Sequence, residues 1–169
     1  TPVIHKGFTL RFDSGGGTAM RYNGPISGTG KVQVSMGGAD GNFRNSPMVL
    51  GGKEPNTMQG VWLVKCGRMT LAKDEGVDAA GGTIIVGGQG DNDCLYWANS
   101  DQLNDAAVVE LLDSPKGGAT LNLNGCSDKF ASLKMAAHTK IVTDDQKAGG
   151  ILTVGGLAID GKSIPKGVY

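Results

Sequence analysis

"GGATLNLNGCSDKFASLKMAAHTKIV", residues 117–142, is a run of short alternating stretches broken by glycine, asparagine, serine and aspartate, and its reading decides the fold. Leu121 and Leu123 stand on one side of an extended chain, between Thr120, Asn122 and Asn124, because successive side chains of a strand point to opposite faces. One face is therefore buried. Nothing in the stretch has the form of a catalytic pocket, so function has to be sought in architecture.

The same alternation continues outward. Phe8, Leu10 and Phe12 share a side around Thr9 and Arg11, and further strands are predicted at 31–34, 48–50, 61–64, 69–72, 83–86, 95–98, 108–112, 129–135, 140–142 and 151–154. Gly-Gly or Asn-Gly pairs begin at 37, 51, 81, 87, 117, 124, 149 and 155, where they supply the positive φ of tight corners. Residues 101–112 have two readings. Leu103, Ala107 and Leu111 fall four apart as on a helix, while "AVVELL" equally reads as a strand after a polar turn.

Phrases also repeat. "GGTIIVGG" at 81–88 returns as "GGILTVGG" at 149–156, with weaker echoes in "SPMVLGG" at 46–52 and "GKVQVSMGG" at 30–38. Short strands that recur with polar corners are the mark of a solenoid, in which each coil buries its apolar face only by stacking on its neighbours. Asn122 and Asn124 are then expected in side-chain ladders at coil corners. A β-sandwich is the alternative, since a dozen short strands suit it as well.

Composition fits a thin core. The 169 residues make one domain, and 29 glycines stand against only four Phe, two Trp and three Tyr. Lys and Arg number 16, as do Asp and Glu, so no net field draws the chain to nucleic acid or an anionic membrane. Apolar runs such as "TIIV" and "AVVELL" are far shorter than the roughly 20 residues of a spanning helix. The first residues, "TPVIHKGFTL", lack the apolar centre of a secretory signal, as expected of a processed chain or an excised fragment. Cys66, Cys94 and Cys126 have neither redox nor zinc spacing, which leaves one disulfide with a spare thiol or three buried small side chains.

Little chemistry is on offer. "GTGK" at 28–31 lacks the Ser or Thr and the helix of a phosphate loop, since Lys31 leads into a strand. "GGQGDND" at 87–93 approaches a calcium-binding nonapeptide, but Asn92 stands where an Asp belongs. His5 and His138 sit in no nucleophile pattern and read as surface residues. Lys140, Asp144 and Asp145 form the closest local charge cluster and read as an exposed corner. No catalytic residue, metal ligand or cofactor is assigned. Trp62, Tyr96 and Trp97 are candidates for stacking on sugar, and in "CLYWAN" one of Tyr96 and Trp97 must face outward.

Residues 26–169 resemble the autotransporter-associated β-strand repeat. The resemblance rests on "ISGTGKVQV", on "MVLGGKEPNTMQGVWLVKCGRMTLAK" with its polar turn Pro55–Gly60 and strand end Gly67–Lys73, and on the C-terminal phrases closing at "GVY". It implies an all-β chain folded as a right-handed parallel β-helix, in an exported surface protein of bacterial type. Residues 1–25 are then an N-terminal strand segment and 26–169 the β-solenoid.

The expected function is structural and extracellular or at the cell surface: a rigid, self-assembling solenoid with no enzymatic activity. Val3, Ile4, Phe8, Leu10 and Phe12 are the candidate assembly residues, either capping their own solenoid or donated as a strand to a neighbour's edge. An adhesin or carbohydrate-binding module that contacts a glycan or host surface through Tyr96 and Trp97 is the alternative, and a polysaccharide-degrading β-helix enzyme the second.

Overall fold

The structure is a computed structural model that describes residues 1–14, 18–36, 47–88, 93–114, 117–143 and 145–167. Its strands follow one another coil by coil. The first coil holds β1 (Val3–Ile4), β2 (Thr9–Asp13) and β3 (Met20–Tyr22), and the second β4 (Ser27–Gly28), β5 (Lys31–Ser35) and β6 (Met48–Gly52). The third holds β7 (Thr57–Met58), β8 (Val61–Cys66) and β9 (Arg68–Lys73). Beyond it come the pairs β10 (Thr83–Val86) with β11 (Cys94–Trp97), β12 (Val108–Leu111) with β13 (Thr120–Asn122), and β14 (Asp128–Met135) with β15 (Lys140–Val142). The hairpin β16 (Leu152–Ile159) and β17 (Lys162–Ile164) follows.

Successive coils stack into three sheets, ordered β1-β4-β7, β17-β16-β14-β12-β10-β8-β5-β2 and β15-β13-β11-β9-β6-β3. Every pairing is parallel except β16 with β17. This is a β-solenoid, and the sandwich alternative fails because a sandwich is built of antiparallel sheets. In the long sheet Thr9, Lys31, Val61, Thr83, Val108, Ser132 and Gly156 stand in one column, at steps of 22, 30, 22, 25, 24 and 24 residues.

The registers make columns of like side chains inside. Leu10, Val32, Trp62, Ile84, Val109 and Leu133 form one, and Met20, Met48, Met69, Leu95, Leu121 and Ile141 another. All but Leu10, Met20 and Ile141 are closed from solvent. Few aromatics are needed because the interior is only one side chain deep from each sheet.

Corners set how tightly coils stack. Gly30, Gly60 and Gly82 lie one above another just before β5, β8 and β10, and the amides of Val61 and Thr83 donate to the carbonyls of Gly30 and Gly60, each at 3.0 Å. A Cβ at Gly60 would overlap the Gly30 carbonyl oxygen, so the close approach itself requires glycine there.

The opposite corner is tied by buried polar side chains. Asn56 accepts from the Ile26 amide at 2.7 Å and donates to the Ala79 carbonyl at 2.7 Å, joining three coils. Lys73 has no accessible surface; its Nζ donates to the Gly51 carbonyl at 3.0 Å, and burial lowers its pKa against the opposing pull of Glu54. Asp128 Oδ2 accepts from Trp97 Nε1 at 2.6 Å, the Gln102 amide at 2.9 Å and the Leu103 amide at 3.0 Å.

Several expectations change in detail. Residues 108–111 are strand and no helix forms among the described residues, because Val109 and Leu111 both join the inner columns at period two. Residues 3–22 run in the same ladder as the rest, as the first coil. Phe8 does not share the buried face of Phe12: it precedes β2, just after Gly7 at φ 88°, and turns outward. Asn122 does not stack on like residues, standing between Tyr96 and Val142 in its column; Asn122 and Asn124 are both buried, the first donating to Asp145 and the second to the Trp97 carbonyl. Cys126 is buried, Cys66 and Cys94 half-buried, and no disulfide joins them.

Candidate functional site

The outer face of the β9-β11-β13-β15 sheet carries two columns, Arg68–Cys94–Thr120–Lys140 and Thr70–Tyr96–Asn122–Val142. All of them but Thr70, together with Asp145, line a groove of about 180 Å³. Arg68 lies over the Tyr96 ring, its guanidinium carbon 5.0 Å from the centroid, within reach of a cation–π attraction. Asn122 Nδ2 donates to Asp145 Oδ2 at 3.0 Å. Burial, seconded by Asp145, raises the Tyr96 pKa, with Arg68 opposing, so the phenol stays a neutral hydrogen-bonding group.

Two polar atoms of this face have no partner. Arg68 Nε and Thr70 Oγ1 are both enclosed and make no hydrogen bond. Arg68 also forms no ion pair with a described residue, although the groove supplies Asp145.

Of the two residues expected to contact sugar, only Tyr96 qualifies. Trp97 is in the core, its indole N–H engaged by Asp128, so it presents no ring face to solvent. Trp62 is equally buried, and its Nε1 has no partner. Lys140 and Asp145 belong to the groove, while Asp144 lies outside the described residues. Arg68 and Thr70 were not picked out by sequence reasoning, and Asn122 only as a ladder residue; superposing "RMTL", "CLYW", "ATLNL" and "KIV" as successive rungs would have found their columns.

The ends of the solenoid form a second feature. Five large apolar side chains are strongly exposed among the described residues: Val3 (56%), Phe8 (71%), Ile141 (36%), Ile151 (65%) and Ile159 (40%). Val3 and Phe8 belong to the first coil, Ile141 to the coil of β14 and β15, and Ile151 and Ile159 to the hairpin that follows it. Of the other candidate assembly residues, Ile4 and Phe12 are buried against the second coil and Leu10 is half-buried. The strands β1, β2 and β3 leave one edge each without a neighbour at the first coil, as β15 does at the last.

The remaining sequence candidates are dispersed. Lys31 opens β5 on the outer face, not a helix. Residues 89–92 of the calcium-like phrase lie outside the described residues, and the Asp93 carboxylate accepts from the Gly67 amide at 3.0 Å. Among the described residues no three His, Cys, Asp or Glu converge as for a metal. His5 is exposed, and His138 is exposed with Nδ1 3.0 Å from Asp113 Oδ2. No helix of the described residues is long and apolar enough to cross a membrane. Compared with known proteins, the chain matches no family model, no curated protein and no solved structure.

Proposed function

We propose that the protein is a structural solenoid that stacks end to end with copies of itself, in the extracellular or cell-surface setting that the resemblance of residues 26–169 implies. The observation that carries this reading is that, among the described residues, the strongly exposed large apolar side chains lie in the first coil, in β15 and at the closing hairpin. Seven parallel strands of the long sheet, at about 4.8 Å a step, span only roughly 29 Å. Two unlike ends in contact form a heterologous interface, and when the rotation does not close on itself such contacts propagate as a fibre.

Unpaired strand edges are templates for further pairing, and here they lie beside exposed apolar side chains rather than under a covering helix. Electrostatics opposes the contact. The first coil carries Lys6, Arg11 and Arg21 against Asp13, and the last carries Lys129, Lys134, Lys140, Lys147, Lys162 and Lys166 against fewer carboxylates. Stacking should therefore strengthen with salt, which shortens the Debye length from ~10 Å at 0.1 M to ~3 Å at 1 M.

Sedimentation velocity over a concentration series at low and high salt tests the proposal. Wild type should form larger species with concentration and salt, and the double change Phe8→Ser with Ile151→Ser should remain monomeric with an unaltered circular dichroism spectrum. Wild type that stays monomeric throughout, or a folded double variant that assembles equally, refutes it.

A further inference from the structure

We infer that the outer groove between Arg68 and Asp145 binds an acidic saccharide residue, a hydroxylated ring that carries a carboxylate. All of the groove's lining comes from one chain, on the outer face of the sheet, so the site is formed without a neighbouring copy. Its volume, about 180 Å³, is below the roughly 300–1,000 Å³ of drug-sized ligand pockets and holds one ring rather than several.

The chemistry of the wall selects the ligand. Tyr96 and Thr120 offer hydroxyls, and Asn122 and Asp145 offer an amide and a carboxylate, a set of neutral and acceptor groups suited to ring hydroxyls. Arg68 and Lys140 bring two positive charges against the one negative charge of Asp145. That surplus calls for an anion. Arg68 specifies which kind, since a planar guanidinium pairs with a carboxylate through two parallel hydrogen bonds.

Arg68 is also poised to move. Over Tyr96 its Nε is enclosed without a partner, and leaving a buried donor unpaired opposes the cation–π attraction that holds the side chain down. A carboxylate in the groove would give the guanidinium partners that it lacks in this position. Swinging toward it would also uncover one face of Tyr96, against which the apolar face of a sugar ring can rest. Thr70 Oγ1, the other orphan of this face, sits one rung from Tyr96.

The experiment is a titration of the intact chain, followed by amide and side-chain NMR, with trigalacturonate, the corresponding neutral trisaccharide and a sulfated trisaccharide. Saturable shifts centred on Arg68, Tyr96 and Asn122 are expected with trigalacturonate alone. Arg68→Gln, which keeps the stem as far as Cδ and a polar end but removes the charge, should weaken binding at least tenfold, and Arg68→Lys should weaken it as well, because the paired geometry is lost. No saturable response to trigalacturonate, an equal response to the neutral sugar, or undiminished binding by a folded Arg68→Gln chain overturns the site. Equal binding of the sulfated sugar overturns the choice of carboxylate.

Discussion

Replacing Asp128 by Ala tests whether the coil corner is held by the carboxylate buried inside it. In the native chain one oxygen, Oδ2, accepts from Trp97 Nε1, the Gln102 amide and the Leu103 amide, while Oδ1 accepts from the amide of Lys129 at 2.7 Å. The first three donors come from residues 97–103, earlier in the solenoid, and are shut from water, since Trp97, Gln102 and Leu103 are all buried. Each buried donor left unpaired costs about 1–3 kcal/mol, so three cost about 3–9 kcal/mol if nothing relaxes. A water entering the vacated space satisfies one or two of them, which brings the expected loss to about 3–5 kcal/mol. Against a typical total of ~5–15 kcal/mol that is a large fraction.

Asp128→Asn is the informative partner. It keeps an acceptor for the three inter-coil donors and removes a buried charge, at the expense of turning an amide group toward the Lys129 N–H; a loss of about 1–2 kcal/mol is expected. Burial raises the Asp128 pKa and outweighs the opposing hydrogen bonds from Trp97, Gln102, Leu103 and Lys129. A folded-state pKa above the unfolded value makes ionisation costly to the fold. Stability from this group is therefore complete below the unfolded pKa and is lost as the pH rises through the folded one. The advantage of wild type over Asp128→Asn should accordingly be greater in acid than at neutral pH. Urea unfolding followed by tryptophan fluorescence and circular dichroism gives all three stabilities. An Asp128→Ala protein within about 1 kcal/mol of wild type would refute the reasoning, since that is less than one orphaned donor.

Other outcomes follow from the same geometry. Gly60→Ala should lower stability by about 3 kcal/mol or more in thermal melts, because its Cβ overlaps the Gly30 carbonyl oxygen; Gly76→Ala, with open space but φ 75°, should cost only about 1–2 kcal/mol. Leu121→Asp places a charge in the column between Leu95 and Ile141 and should abolish the β-type circular dichroism, whereas Leu121→Ala should cost about 2–5 kcal/mol and still fold. Asn122→Asp sets a second carboxylate beside Asp145, and its destabilisation should be relieved by Asp145→Asn in the double variant. The hydrogen bond with Asp113 raises the His138 pKa and lowers that of Asp113. The histidine's share of this contact is present below the ordinary value of about 6.5 and is lost as the pH rises through the raised one. The carboxylate's share is lost in acid, as the pH falls through the lowered pKa of Asp113. The His138 ring-proton midpoint by NMR should therefore lie above the ordinary histidine value and fall on Asp113→Asn; no response to that change contradicts the pair.

Strands with at least one alternating pair were largely legible because alternation is a two-residue signal that survives in a short window. Residues 83–86 and 140–142 were placed to the residue. The two-residue strands β1, β4 and β7 have no period to read and exist only because stacked coils align them. Phe8 was misassigned because alternation was carried one residue past the start of β2, across the turn at Gly7. Asn122 alternates outward as expected, but residues distant in sequence cover it, and cover is invisible to local pattern. The groove was hidden for the same reason. Tyr96 and Trp97 could be separated only by register, which sets Trp97 above Leu71 in an inner column and Tyr96 above Thr70 in an outer one. Irregular coil lengths kept that register out of the sequence alone.

Electron microscopy of the purified chain at high concentration and high salt, combined with diffraction from the aligned sample, is the most direct test of end-to-end stacking. The account predicts unbranched filaments one solenoid wide, with a reflection at about 4.7–4.9 Å along the filament axis because the strands run across it. Discrete particles no longer than a single solenoid, or sheets grown sideways with the strand spacing across the long axis, would contradict it.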